Sequence, residues 1–283
     1  MTIIAFVGSV FSPTYFAARA RGKDTAAERF CALNVVLYRA RDRCWSFTEH
    51  PLARIQRTAQ RFDIGASAIA WEGDTLVARI DERSAGIGRP VRGTVRLRPH
   101  RCFDHAVALD PAERHHWWPV APLAEIEVEM ARPALRFVGS GYHDTNFGRE
   151  PLERGFRAWE WSRAELPRGT GVLYDAEPRE GPPSARGLLF GRDGQIEPLD
   201  AEQRHRLPRG SWGVARSIRA DPGAPPRIRR GLESAPFYTR ELVETTIAGH
   251  PVLAMHESLD LDRFAHPVVQ RMLPFRIRRG WRV

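Results

Sequence analysis

The stretch that decides the fold is residues 67–82, SAIAWEGDTLVARIDE, two apolar–polar alternations joined at Glu72-Gly73-Asp74. Alternation with a period of two puts successive side chains on opposite faces of an extended chain. A polar, Gly-centred break between two such runs marks a β-hairpin. Residues 91–99 (VRGTVRLRP) continue the alternation. Upstream, CALNVVLY (31–38) and CWSFTEH (44–50) flank a polar RARDR connection. Downstream, RGLLFGRDGQIEPL turns at Asp193-Gly194, and ELVETTIAGHPVLAMHESL turns at Gly249. Helical patterns are few: residues 14–21, residues 51–61 and a turn at 262–264. EPREGPPSARG and RADPGAPPR, rich in Pro and Gly, read as exposed loops. Short, regularly spaced strands with turns between them predict a mainly β protein of the barrel or sandwich type. FRAWEWSRAEL (156–166) restarts the alternation after a break near 150–155. Two antiparallel β domains are therefore expected, residues 1–152 with the reactive motifs and residues 153–283.

The 283 residues are 42% hydrophobic and 10% aromatic, enough for a substantial core. Forty-three basic against 34 acidic residues give a net charge of +9. Lys23 is the single lysine and the arginines are spread along the whole chain, without a basic arm or a zinc-finger spacing. Nucleic acid is therefore not the expected partner. Cys31, Cys44 and Cys102 form no CxxC, which argues against a disulfide scaffold or a structural zinc site and favours a reducing compartment. The opening MTIIAFVGSVFSP lacks a basic region before its apolar run, and no run is long enough to span a bilayer. A cytoplasmic protein is expected.

The chemistry-bearing residues concentrate in three places. Residues 139–148, GSGYHDTNFG, follow AEIEVEMARPALRFV (124–138), which reads as one half-buried strand. Asp144 is either the pivot of an Asx-turn or a general acid beside Tyr142, kept protonated by apolar surroundings. In ERHHWWPVAP, strand alternation puts His115 and Trp117 on one face, with His116 and Trp118 on the other. These four are either core aromatics with histidines at their rim or a site that handles a proton or a water. In WEWSR, Trp159 and Trp161 share a face, as core or as a binding surface. His115, His143 and Asp144 match no metal spacing, the glycines make no GxGxxG, and no GxSxG occurs. The C-terminal PFRIRRGWRV combines Phe275, Ile277 and Trp281 with Arg276, Arg278, Arg279 and Arg282, and could meet an anionic membrane surface.

Seven segments, in order, carry a resemblance: FVGSVFSP, CALNVVLY, HHWWPVAP, GYHDTNFGREPLE, WEWSR, PFYTRELVET and LAMHESLDLDRF. As a set they resemble the carotenoid 1,2-hydratases, or hydroxyneurosporene synthases, of purple photosynthetic bacteria, over nearly the whole chain. The resemblance implies two lipocalin-like β domains and addition of water, without a cofactor or metal, to the terminal C1=C2 bond of an acyclic carotenoid such as neurosporene or lycopene. It implies catalytic roles for Asp144, His115, Tyr142 and Trp117 around one cavity; Trp118, Trp159 and Trp161 are the expected substrate contacts. His143 inherits no role. So insoluble a substrate implies peripheral contact with membrane lipid or with neighbouring enzymes of carotenoid synthesis. A lipocalin-like isomerase or cyclase of another polyene, and a non-catalytic carotenoid or lipid carrier, are the alternatives.

Overall fold

The computed structural model describes residues 1–23, 25–40, 42–200, 203–223, 225–273 and, as backbone, 278–279. The aromatic and basic residues expected at a membrane surface in the C-terminal tail lie outside the described side chains.

Strands form where the sequence alternates. β1 (Thr2–Phe6), β2 (Cys31–Tyr38) and β3 (Arg43–His50) make an antiparallel sheet, which β21 (Arg278–Arg279) extends in parallel. A second sheet begins with β4 (Ile55–Arg57), β5 (Arg61–Ile64), β6 (Ser67–Glu72), β7 (Thr75–Arg83) and β8 (Pro90–Pro99). It continues through two long strands, β10 (His115–Arg132) and β11 (Ala134–Gly148), with β9 (Val107–Ala108) beside β10. The third sheet has the order β15-β14-β13-β12-β20-β19-β18. Its strands are β12 (Phe156–Leu166), β13 (Gly169–Pro178), β14 (Ser184–Gly191), β15 (Ile196–Pro198), β18 (Arg227–Ala235), β19 (Tyr238–Ile247) and β20 (His250–Asp260). A separate hairpin joins β16 (Gln203–Leu207) to β17 (Arg216–Ala220). The expected mainly β, antiparallel architecture is present. Among the described residues its sheets are open; none closes into a barrel.

Helices are short: α1 (Pro13–Ala20), α2 (Leu152–Gly155), α3 (Leu261–Ala265) and α4 (Pro267–Met272). Ser12 caps α1 by accepting from the Tyr15 N–H, and Pro13 fits the first turn because no partner is needed for its missing N–H. Among the described residues, no helix is long and apolar enough to cross a membrane.

Two local expectations are corrected, and one pair of alternatives is decided. Residues 51–61 are not a helix: after a 3₁₀ turn at Leu52–Arg54 they form β4 and the start of β5. The Thr58 hydroxyl accepts from the Gln60 and Arg61 N–H groups, holding a turn that competes with helix. Residues 124–138 are not one strand but the end of β10 and the start of β11, broken at Pro133, which cannot donate to a ladder. Of the two readings of residues 139–148, the turn falls away. These residues continue β11, and none of Gly139, Gly141 and Gly148 takes a positive φ.

Contacts divide the chain into two compact units, one of residues 1–99, 124–141 and 270–283, the other of residues 100–123 and 142–269. The sequence suggested a single cut after residue 152. The division differs because β10 and β11 each pass from one unit into the other, at 123/124 and 141/142. The reactive motifs thereby fall in the second unit rather than in an N-terminal half.

In the first unit β2 is buried on both faces, which explains its unbroken apolar run. Leu33, Val35 and Leu37 pack with Ile64, Ile80, Val95, Val128 and Met130. In the second unit, Ala164, Leu166, Leu173, Val243 and Ala254 pack with Leu207 and Ile218 of the β16–β17 hairpin. That core occupies one face of β12; alternation turns Trp159, Trp161 and Arg163 to the other. Gly169, at the start of β13, lies so close to the Phe190 carbonyl oxygen that any Cβ would collide with backbone. Gly169→Ala should therefore cost about 1–3 kcal/mol, as overpacking does. The check is a melting temperature lowered by a few degrees.

Candidate active site

β10 and β11 deliver the site by alternation. On β10, His115 and Trp117 are buried, whereas His116 and Trp118 are only partly so. His116 stacks on Phe147, with centroids 5.2 Å apart. The Trp118 indole N–H donates to the Phe103 carbonyl at 2.6 Å. On β11, Tyr142, Asp144 and Asn146 share one face, with His143 on the other.

The Asp144 carboxyl is held through a single oxygen. The Tyr142 hydroxyl donates to Oδ2 at 2.9 Å, and the Trp117 indole N–H donates to the same Oδ2 at 2.9 Å. The Trp117 nitrogen also lies 3.2 Å from the Tyr142 hydroxyl, so one N–H is shared between two oxygens. Trp117 is fully buried. Its ring meets Tyr174 and Phe190 at centroid distances of 5.5 and 6.3 Å. Trp161 packs on Tyr142 at 5.3 Å, and the Arg163 guanidinium sits 5.5 Å from the Tyr142 ring centre.

These surroundings set the charge states. Burial pushes Asp144 up to about 6, although hydrogen bonds from Tyr142 and Trp117 favour its ionised form. Glu257 also raises it and Arg240 opposes, the two being ion-paired at 2.6 Å. Burial, and then the Asp144 charge, hold Tyr142 well above its ordinary value, so the phenol stays a neutral donor. Burial alone lowers His143 to about 4.

His115 stands two residues before Trp117, in a different setting. Its ring packs on Phe156 at 4.8 Å, and its Nε2 lies 3.5 Å from Glu150 Oε1. Its main-chain N–H donates to Asp110 Oδ1 at 2.8 Å. Arg114 reaches Asp110 at 3.3 Å, Glu150 at 3.2 Å and Glu180 at 3.4 Å. Burial opposes ionisation of Asp110, but the His115 N–H and Arg114 hold its carboxyl below the usual range. Burial lowers His115, while Glu150 and Asp110 act in the opposite sense. Gly148 and Gly155 clasp the ring. A Cβ on Gly148 would stand 2.5 Å from Nδ1, and one on Gly155 2.6 Å from Nε2, so side chains at either position would displace the imidazole. Ring contacts link it to the acid: Phe156 meets Trp159 at 6.3 Å, Trp159 meets Tyr174 at 6.0 Å, and Tyr174 meets Trp117. A carboxyl raised to about 6, an imidazole that burial keeps neutral and a chain of aromatic rings between them suit proton transfer on an apolar substrate. Among the described residues, no group of three His, Cys, Asp or Glu could hold a metal ion.

The family model described as carotenoid hydratase CrtC matches residues 3–283. The chain belongs to that family. It is 45% identical over 280 residues to the acyclic carotenoid 1,2-hydratase of Thiocapsa roseopersicina, covering 99% of this chain and 69% of that one. Identity to the protein of the same name from Cereibacter sphaeroides is 36% over 282 residues, covering 99% of both. Membership makes the chain an enzyme of the hydro-lyase class. A solved structure described as an AttH from Nitrosomonas europaea superposes with a TM-score of 0.60 at 14% identity, covering 81% of this chain and 80% of that one. CghA in complex with Sch210972 gives 0.53 at 12% identity, covering 82% and 79%. Both likenesses concern the fold alone.

Of the residues named from sequence, the carotenoid hydratase fold puts Asp144, Tyr142 and Trp117 in direct contact. Trp159 and Trp161 line the same aromatic cluster. His115 joins it through Phe156 rather than by a hydrogen bond to Asp144. Trp118 points to the opposite face of β10. Sequence reading missed Tyr174 and Phe190, single aromatics in β13 and β14, and Phe156 at the start of β12; only pairing brings them to the site. It also passed over Glu150, which sits in the quoted REPLE segment among exposed-looking charges.

Proposed function

We propose that the protein hydrates the terminal C1=C2 bond of an acyclic carotenoid such as lycopene or neurosporene, with Asp144 as general acid. The observation that carries this reading is the Asp144 carboxyl, pushed up to about 6 inside an aromatic cluster with both its hydrogen bonds on Oδ2. With Oδ2 engaged by two donors, the proton belongs on Oδ1. An isolated trisubstituted alkene is a very weak base, so the first step is proton transfer from Oδ1 to C2, leaving a tertiary cation at C1. The aromatic faces of Trp159, Trp161 and Tyr174 stabilise that cation by their quadrupoles, by roughly 1–2 kcal/mol each where desolvated. Trp117 and Tyr142 serve the acid instead, through the N–H and O–H that they direct at it. Water then attacks C1 and His115 takes the proton that leaves it. That proton returns through solvent to Asp144, so the net change is one water added. Because a C40 polyene scarcely dissolves in water, the enzyme draws its substrate from membrane lipid or from a neighbouring enzyme of carotenoid synthesis, working peripherally at the cytoplasmic face.

The test is incubation with lycopene in water enriched in oxygen-18. Label in a tertiary hydroxyl at C1 is the expected result. An unlabelled rearranged polyene would replace hydration with isomerisation, and tight binding without any product would make the protein a carrier.

A further inference from the structure

Glu150, which faces the proposed base His115, has no part in the reading so far. His115 is 2% exposed, its Nε2 is buried, and the atom facing it at 3.5 Å is Glu150 Oε1, also buried. Neither atom makes a hydrogen bond of good geometry, but Oε1 is balanced by its ion pair with Arg114 Nε at 3.2 Å, which leaves the buried imidazole Nε2 facing a carboxylate. A buried polar atom left in this way is costly unless a later step uses it. Two glycines make the approach possible. The imidazole occupies the space that a Cβ on Gly148 or Gly155 would need, and Gly155 ends the short α2 that starts just after Glu150. Arg114 Nε holds the same carboxylate oxygen at 3.2 Å.

We infer that Glu150 is a positioning residue that orients the His115 imidazole and stabilises its protonated form, making His115 an effective base for the attacking water. This rests on the reading of His115 given under Proposed function. The arrangement follows the general logic in which a base is oriented by a third group. When water attacks C1, the proton that it releases passes to the imidazole, and the positive charge forms beside the Glu150 carboxylate. No bond to Glu150 forms or breaks. Asp110 contributes to the same charge from the main-chain side, and Arg114, itself balanced by Glu180, opposes it. From α2 the ring is met by Gly155, and from β12 by Phe156, so the field at the imidazole comes from Glu150, Asp110 and Arg114.

Glu150→Gln, which keeps the shape and removes the charge, is the test. The base must be neutral to act, so in the parent activity falls at low pH as His115 is protonated. Glu150 favours the protonated imidazole, so its removal lets His115 stay neutral to lower pH. The acid limb of the kcat/KM profile should therefore move down, while the alkaline limb, set by Asp144, stays in place. Turnover at the optimum should fall by about tenfold or more, with KM little changed. Glu150→Asp should restore part of it. In a His115→Ala background, Glu150→Gln should add no further loss. An unmoved acid limb, or losses that add in the double variant, would make Glu150 a structural ion-pair partner of Arg114 and overturn the inference. Asp144→Asn is assayed alongside: if it retains parental turnover, the hydration chemistry itself fails, which separates that failure from failure of the Glu150 role.

Discussion

Asp144→Asn is expected to reduce carotenoid hydration by about 10⁴-fold or more, the upper end of what a general acid contributes. An amide is far too weak an acid to protonate an alkene, and the hydrogen bonds from Tyr142 and Trp117 both lead to this one carboxyl. The same substitution should stabilise the fold, in a pH-dependent way. The folded protein holds Asp144 near 6, above its ordinary value of 3.8. A carboxyl raised on folding contributes its full stability below about pH 4 and loses it as pH rises through 6. Above pH 7 the parent therefore carries a buried, ionised carboxylate, at a cost of up to about 3 kcal/mol. Asp144→Asn should melt higher than the parent at pH 8 and not at pH 4. Parental activity should itself decline as pH rises through about 6, because the acid form disappears. Turnover near the parental rate in the variant would show that Asp144 is not the acid, and equal melting at pH 8 that it is not under electrostatic strain.

Replacing His115 by alanine should cost less, about 10²–10³-fold. Once the C1 cation exists, even poorly oriented water captures it, so the base accelerates the second step without being indispensable to the first. The product mixture is the sharper readout. Without His115 the cation has time to lose a proton to any neighbour, and double-bond isomers should accumulate beside the alcohol. Chromatography of the products from lycopene measures the ratio. A variant that is slow but forms only the tertiary alcohol would remove His115 from the water step and leave it as a packing residue between Gly148, Gly155 and Phe156.

Both effects were partly legible before any coordinates. The motif Tyr142-His143-Asp144 shows an acid beside a phenol, and period-two alternation in HHWW predicts that His115 and Trp117 share a buried face, as they do. A segment rich in Gly, Asp and Asn also suits a turn, and it runs instead as part of a 15-residue strand. The close approach of His115 to Gly148 gives one of those glycines a steric reason in place of a conformational one. Glu150 was unreadable because a carboxylate among Arg149, Pro151 and Glu153 has the look of a solvated charge. Only its distance to a buried imidazole distinguishes it.

By itself the sequence determined what depends on neighbours along the chain. Alternation set the strands, polar Gly-centred breaks set the hairpins, and Ser12-Pro13 set the start of α1. The division into units depended on something else. Two strands long enough to serve both units connect them, so no boundary in composition marks the change at 123/124 or 141/142. The site depended on pairing between distant segments as well. Tyr174 meets Trp117 and Trp159 because β13 lies beside β12, and Asp144 becomes a weak acid only once those rings exclude water from it. Charge state follows from desolvation and from hydrogen bonds across long sequence separations, and these exist only after the sheets have formed.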